Sequence, residues 1–541
     1  MIAAPLPEAT GNVALRMSGM ARLQPSRAAV IVPDGTGWSR LTFAELDEES
    51  DRLAWGFEAI GIGRGVRAVV MVKPSLEFFS LMFALFKAGA VPVLIDPGIG
   101  KRALLRCLDE VEPEAFVGIP AAHVARLLFP GPFRKVRALV TVGRRLGWGG
   151  HDLDGLREAG ARGGRYPVAT PGPEDAAAIL FTSGSTGIPK GAVYTHAIFD
   201  AQVRSIRDLY GIEPGGIDVA TFPPFALFDP ALGCTAVVPR MDARRPASAD
   251  PAEIVRAIDD HGATSLFGSP ALLDNLSRYA ERLDVRFPTL RRVLSAGAPV
   301  RRDILARMQA CLPEGVEIYT PYGATESLPV ASIGSREALA AKGAGICVGR
   351  PAPGMDVRIL RITDDAIDAW SDELLAPPGE VGEIAVAGPV VTPAYFARPE
   401  QTRLAKIREG DRVVHRMGDL GYFDREGRLW MCGRKSQRVR AAGGTLFTEP
   451  VEQHFNRHPK VRRCALVGVP HGADPARPVL IVEPEGDADP AALVRELQAV
   501  DAPWPIERIL VYGGKFPVDS RHNAKIERER LARWATAKVD G

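Results

Sequence analysis

The sequence predicts an α/β protein of at least two domains, and three observations carry that reading. Short apolar runs of strand length at 67–72, 177–181, 265–267 and 292–295 alternate with helical stretches at 75–88, 251–261 and 271–283, the alternation that buries parallel sheets between helices. After Gly379 the rhythm changes to strands separated by turns, as at 381–386 and 427–432. At 541 residues the chain also exceeds what one hydrophobic core usually serves.

Taken in order, the first element is Arg67-Ala-Val-Val-Met-Val72, a continuous apolar run suited to a strand buried on both faces. The segment from Phe78 to Leu94 is apolar enough to resemble a membrane span. Lys87 and Pro92 interrupt it, and Gly-Ala-Val-Pro-Val reads as the end of a helix, a turn and a buried strand, so the segment is assigned to the core. The run 177–181 leads into a glycine-rich loop, and 265–267 and 292–295 follow as further buried strands. No internal repeat is evident. The best boundary is Gly433-Arg434-Lys435-Ser436, where a glycine and charged residues end a strand. It divides the chain into 1–433 and a small segment, 434–541, that contains the apolar run 461–468.

Composition narrows the class. Sixty-seven basic and 65 acidic residues leave a net charge of +2, which gives no reason to expect a nucleic-acid partner. The paired arginines at 291–292, 301–302 and 462–463 read as solvated faces. Six cysteines, at 107, 234, 311, 347, 432 and 464, show neither metal-ligand nor disulfide spacing and read as small buried residues in a reducing cytoplasm. The first residues, Met-Ile-Ala-Ala-Pro-Leu-Pro-Glu, have no basic region followed by an apolar stretch, so no signal peptide is expected.

The run Phe181-Thr-Ser-Gly-Ser-Thr-Gly-Ile-Pro-Lys190-Gly191 points to a polyphosphate. Gly184, Gly187 and Gly191 let the backbone turn and approach phosphate oxygens, while Thr182, Ser183, Ser185 and Thr186 add hydroxyl donors. Lys190 supplies a point charge. The Walker pattern would place the lysine before a Ser or Thr that opens a helix, whereas here it precedes Gly191 and a β-prone stretch. Taken alone, the run also fits an ordinary Ser/Gly hairpin loop.

In company, the loop resembles the phosphate loop of the adenylate-forming superfamily of acyl-CoA synthetases, peptide-synthetase adenylation domains and luciferases. Further stretches are similar to that superfamily in the same order: 86–97, Ser295-Ala-Gly-Ala-Pro299, Tyr322-Gly-Ala-Thr-Glu326, 379–384, Gly418-Asp-Leu-Gly-Tyr422, Gly433-Arg434 and Lys525-Ile526. The resemblance implies a large N-terminal domain and a small mobile C-terminal α+β lid, with ATP and Mg²⁺ between them. It implies that Thr325 contacts the α-phosphate and Glu326 holds the metal. Tyr322 would lie on adenine, with Gly297, Ala298 and Gly323 giving close backbone approach, and Asp419 would take the ribose hydroxyls. Arg434 would reach ribose or phosphate, and Lys525 would bridge carboxylate and α-phosphate. The glycine usual before that lysine is Ala524 here.

Other departures bear on the substrate. Ser436 stands where ligases carry an acidic hinge residue, Ala442 where an arginine is expected, and Ala226 where many relatives carry histidine. The stretches 70–79, 142–149, 222–233 and 415–423 look closest to the β-lactone synthetases of bacterial long-chain olefin biosynthesis. That resemblance implies that a long-chain 2-alkyl-3-hydroxy acid is adenylated and closed by its own 3-hydroxyl, with other olefin-pathway enzymes as candidate partners in an assembly. Phe225, Leu227, Phe228 and Ala231 suit alkyl chains. Asp229 is a candidate to orient or deprotonate the hydroxyl and equally fits a turn before Pro230. Two alternatives stay open: an acyl-CoA or acyl-AMP ligase, and a catalytically silent scaffold.

Overall fold

The computed structural model describes residues 11–161, 163–181, 189–472, 474–518 and 526–539. Among these, one sheet of seven strands runs in the order His151–Asp152, Ala138–Thr141, Ala115–Gly118, Arg67–Met71, Val91–Leu94, Ala176–Phe181 and Gly191–Thr195. The first six strands are parallel and the last is antiparallel, with Phe181 opposite Gly191.

A larger sheet has two halves. Its parallel half places Glu317–Ala324, Arg292–Leu294, Ser265–Phe267, Ile217–Ala220, Thr235–Val237 and Ala28–Asp34 side by side, with Gly37–Thr42 antiparallel at the edge. Its antiparallel half continues through Ser327–Gly334, Ile346–Pro351, Leu429–Arg434, Arg412–Phe423, Gly382–Ala387 and Asp356–Leu360. Strand alternation divides the parallel half. Val219, Leu266 and Val293 enter a core beneath the helices Pro251–His261 and Pro270–Leu283, so Asp218, Ala220, Ser265, Phe267, Arg292 and Leu294 point to the other face.

The helix Leu76–Lys87 starts at Ser75, whose hydroxyl accepts from the Phe78 amide. It is apolar all round and accordingly buried in the main core. Its last residue, Lys87, is fully buried. The ammonium donates to Asp47 Oδ1 at 2.7 Å and Asp51 Oδ1 at 2.6 Å, one turn apart on the helix Phe43–Ala59, so the burial is compensated by paired charge. Among the described residues no helix is long and apolar enough to cross a membrane.

Arg434 closes the strand Leu429–Arg434, one residue past the boundary expected from the sequence. Beyond it stand a two-stranded ribbon, Val439–Ala441 with Gly444–Leu446, and a three-stranded sheet, Val461–His471, Asp474–Pro484 and Arg508–Val511. The helices Thr448–Phe455, Pro490–Gln498 and Arg528–Val539 accompany them, and two apolar clusters here draw all their members from residues after 438. Five cysteines are buried as expected, and Cys347 is half-buried.

Candidate active site

The strands Glu317–Ala324 and Ser327–Gly334 pair with Ala324 opposite Ser327, so Thr325 and Glu326 form the two-residue tip of a hairpin. A Cβ on Gly323 would lie 2.5 Å from the Ser327 carbonyl oxygen, which explains the glycine beneath the tip. The tip is held from several directions. The Tyr395 hydroxyl donates to Glu326 Oε1 at 2.6 Å, and the Thr392 amide and hydroxyl donate to the Glu326 carbonyl at 2.9 and 3.1 Å. The Tyr194 hydroxyl donates to the Thr325 carbonyl. Burial, reinforced by the Glu326 charge, pushes the Tyr395 hydroxyl well up, so it remains a donor.

Two lysines approach the same tip. Lys190 Nζ lies 4.4 Å from the Tyr395 ring centroid and Lys406 Nζ 6.0 Å from it. Lys406 donates to the Thr392 carbonyl at 2.6 Å and to its hydroxyl at 3.3 Å. Burial lowers its ammonium to about 7, against the pull of Glu326 and with the push of Lys190. Burial lowers Lys190 as well, again opposed by Glu326. A phosphate chain arriving here would meet two lysines in partly or wholly buried surroundings, a setting in which charge interactions are stronger than in water.

Asp419, Arg434 and Tyr322 form one triad. Asp419 and Arg434 are register partners on adjacent strands, and the guanidinium Nε lies 3.0 Å from Asp419 Oδ1. The Tyr322 hydroxyl donates to Asp419 Oδ2 at 2.7 Å. The Asp419 charge raises the Arg434 guanidinium, outweighing burial. An ionised carboxylate offers about four acceptor positions, chemistry that suits hydroxyl donors. Gly297, at φ +97°, turns the chain after the strand Arg292–Leu294, with Ala298 following it past the strand's end.

A cavity of about 70 Å³ adjoins these groups. Phe225, Phe228, Phe267 and Leu294 line it, and Phe225 packs on Phe267 with ring centroids 4.7 Å apart. Ala296 and Pro321 form the end nearest the Tyr322–Asp419–Arg434 triad, while Gly216, Asp218, Cys234 and Thr264 lie farther along the strands. Asp229 is also on the wall, and burial together with the Asp218 charge raises its carboxyl well above the usual range. Arg292 lines this cavity, partly buried. It is therefore no solvated arginine, because its strand turns alternate residues toward the cavity.

The structure thus brings together Lys190, Tyr322, Gly323, Thr325, Glu326, Asp419 and Arg434, with Phe225, Phe228 and Asp229 on the adjoining cavity. Thr182, Ser183, Gly184, Ser185, Thr186, Gly187 and Lys525 lie outside the described residues. Sequence reading missed Tyr395, Lys406, Thr392, Tyr194 and Asp218, none of which stands in a recognisable motif. Among the described residues no group of three or more His, Cys, Asp or Glu could hold a metal by itself. Glu326 alone fits a Mg²⁺ that takes most of its ligands from phosphates and water.

Sheets on this plan, with Lys190 near a Thr-Glu hairpin tip and an Asp–Arg pair on neighbouring strands, fit an acid-activating enzyme that works through an adenylate. The chain belongs to the AMP-binding enzyme family, whose profile matches residues 19–396. It is 53% identical to the olefin beta-lactone synthetase of Stenotrophomonas maltophilia, over 98% of this chain and 99% of that one. It is 52% identical to the olefin beta-lactone synthetase of Xanthomonas campestris, over 97% of both. Among solved structures, O-succinylbenzoate coenzyme A synthetase from Bacillus subtilis in complex with AMP superposes with a TM-score of 0.75 at 22% identity, covering 96% of this chain and 98% of that one, a likeness of fold.

Proposed function

We propose that this protein is an ATP-dependent β-lactone synthetase acting on long-chain 2-alkyl-3-hydroxy acids. The observation that carries the reading is identity above half, along nearly the whole chain, to two olefin beta-lactone synthetases. The substrate carboxylate attacks the α-phosphorus and pyrophosphate leaves. Both reactants are anions, so the residues must supply cationic charge and positioning. Lys190 and Arg434 supply charge from two sides, Thr325 sits at the hairpin tip beside the α-phosphate, and Asp419 with Tyr322 fixes the nucleoside. Mg²⁺ held by Glu326 would screen the phosphates. Lys525, on a lid formed by 434–541, would bridge the carboxylate and α-phosphate.

In the second step the 3-hydroxyl oxygen attacks the acyl carbon, AMP departs, and the hydroxyl proton is released. The nucleophile is already in the pocket, which agrees with Ser436, Ala442 and Ala226 standing where thiol-using ligases carry other residues. Exclusion of water by the Phe225–Phe228–Phe267 wall favours ring closure over hydrolysis. The direct test is product analysis with ATP, Mg²⁺ and a 2-alkyl-3-hydroxy acid, with and without coenzyme A. Lactone, AMP and pyrophosphate are expected without coenzyme A, and the 3-deoxy acid should stop at the adenylate. Efficient conversion of the deoxy acid to a thioester would reject the lactone reading in favour of a ligase.

A further inference from the structure

The cavity changes character along its length. Ala220, Phe267 and Leu294 form an apolar layer on the sheet face, and two residues earlier on the same strands come Asp218, Ser265 and Arg292. Register pairs Asp218 with Ser265, Ser265 with Arg292 and Arg292 with Glu317, so these residues form one level across four strands. Asp229 comes to the same level from the short helix Phe228–Leu232, whose Asp229 carbonyl accepts from the Cys234 amide. Asp218 is 9% and Asp229 8% exposed. Asp218 Oδ1 and Asp229 Oδ2 have no hydrogen-bond partner among the described residues, and both residues line the cavity.

From Glu317 to Ala324, beside the hairpin tip, is the length of one eight-residue strand, roughly 23 Å at about 3.3 Å per residue. The carboxyl pair therefore stands a long way from the reacting carboxylate, opposite the far end of a bound chain and beyond reach of its 3-hydroxyl. We infer that Asp218 and Asp229 form a polar end-stop that sets the length of alkyl chain the cavity accepts. The inference rests on reading this cavity as the acyl site. Methylenes reaching the Phe267–Leu294 layer gain by leaving water. Methylenes pushed past it would press against two buried carboxyl groups whose unpartnered oxygens an apolar chain cannot satisfy. Burial raises both carboxyls, Asp218 to about 6 with Ser265 and Arg292 opposing, as suits groups left without full compensation.

The test is a series of 2-alkyl-3-hydroxy acids of stepwise chain length, followed by pyrophosphate release. In the wild type kcat/KM should rise with each methylene to one length and fall beyond it; a smooth rise through the whole series would overturn the proposal. Asp229→Leu, or Asp218→Val should the first not fold, should raise the kcat/KM of the longest acid relative to the shortest by about tenfold and move the break to longer chains. Asp229→Asn, which keeps a polar group, should leave the break in place. A break unmoved by both apolar variants, or moved equally by Asn, overturns the assignment. Should the wild type release no pyrophosphate with any hydroxy acid, the lactone reading fails. Plain fatty acids of the same lengths, with coenzyme A present, then locate the break independently of lactone chemistry.

Discussion

Asp419 and Arg434 face each other as register partners on adjacent antiparallel strands, and their side chains pair at 3.0 Å. Arg434 is the last residue of its strand, so the pair joins two interior strands of the large sheet to everything that follows. A nucleotide bound by Asp419 is thereby bound at the point where the small C-terminal sheets attach. Asp419→Asn keeps the shape and removes the charge that Tyr322 and Arg434 address. The KM for ATP should rise by roughly tenfold or more, the scale of a hydrogen bond to a charged group. Pyrophosphate release against ATP concentration checks it, and an unchanged KM would remove Asp419 from the nucleotide site.

Tyr395→Phe deletes the donor at 2.6 Å from Glu326 Oε1 and little else. Glu326 would then lose one of the contacts that aim it. Activity should fall by about tenfold, and half-maximal activity should require more Mg²⁺. Lower activity with an unaltered Mg²⁺ dependence would confine Tyr395 to packing.

Lys406 makes a prediction about stability and pH. Burial lowers its ammonium from the ordinary 10.5 to about 7. Between these values the unfolded chain binds more protons than the folded one, so this residue's contribution to stability rises with pH over that window and is least favourable below it. Lys406→Met removes the effect. The melting temperature of the variant minus that of the wild type should therefore increase as pH falls from about 9.5 to about 7. A constant difference across the range would mean that Lys406 keeps its proton throughout.

Lys525→Ala should lower adenylate formation by about 10²–10³-fold while changing ATP affinity only a few-fold, because one cation is lost from the transition state and the other nucleotide contacts remain. Isothermal titration with ATP and single-turnover pyrophosphate release separate the two effects. Near-normal pyrophosphate release would dismiss Lys525 from the chemistry.

The parts of the site that were legible beforehand are those whose residues are contiguous. Tyr322-Gly-Ala-Thr-Glu326 concentrates glycine, hydroxyl and charge in a few positions, where the chemistry shows in the residue types, and the structure brings its members together at one hairpin. The alternation of strands and helices likewise gave the parallel sheets, since burial on both faces demands apolar runs. What could not be read were partners met through the fold. Tyr395 reaches Glu326 across 69 residues of sequence, and nothing around it marks a ligand. Arg292 looked solvated because its neighbour is also arginine, yet a strand sends adjacent side chains to opposite faces and only one of the two lines the cavity.

Lys87 has a consequence outside the finished fold. The helix it ends is apolar over most of its surface, so Lys87 and, farther on, Pro92 are what set the stretch apart from a segment meant for lipid. An unpaired lysine there opposes partition into a bilayer by about 3 kcal/mol. Asp47 and Asp51 are translated before it, so its counter-charges already wait when it emerges. One buried cation thus makes this apolar helix a poor match for lipid and locks it to its neighbour.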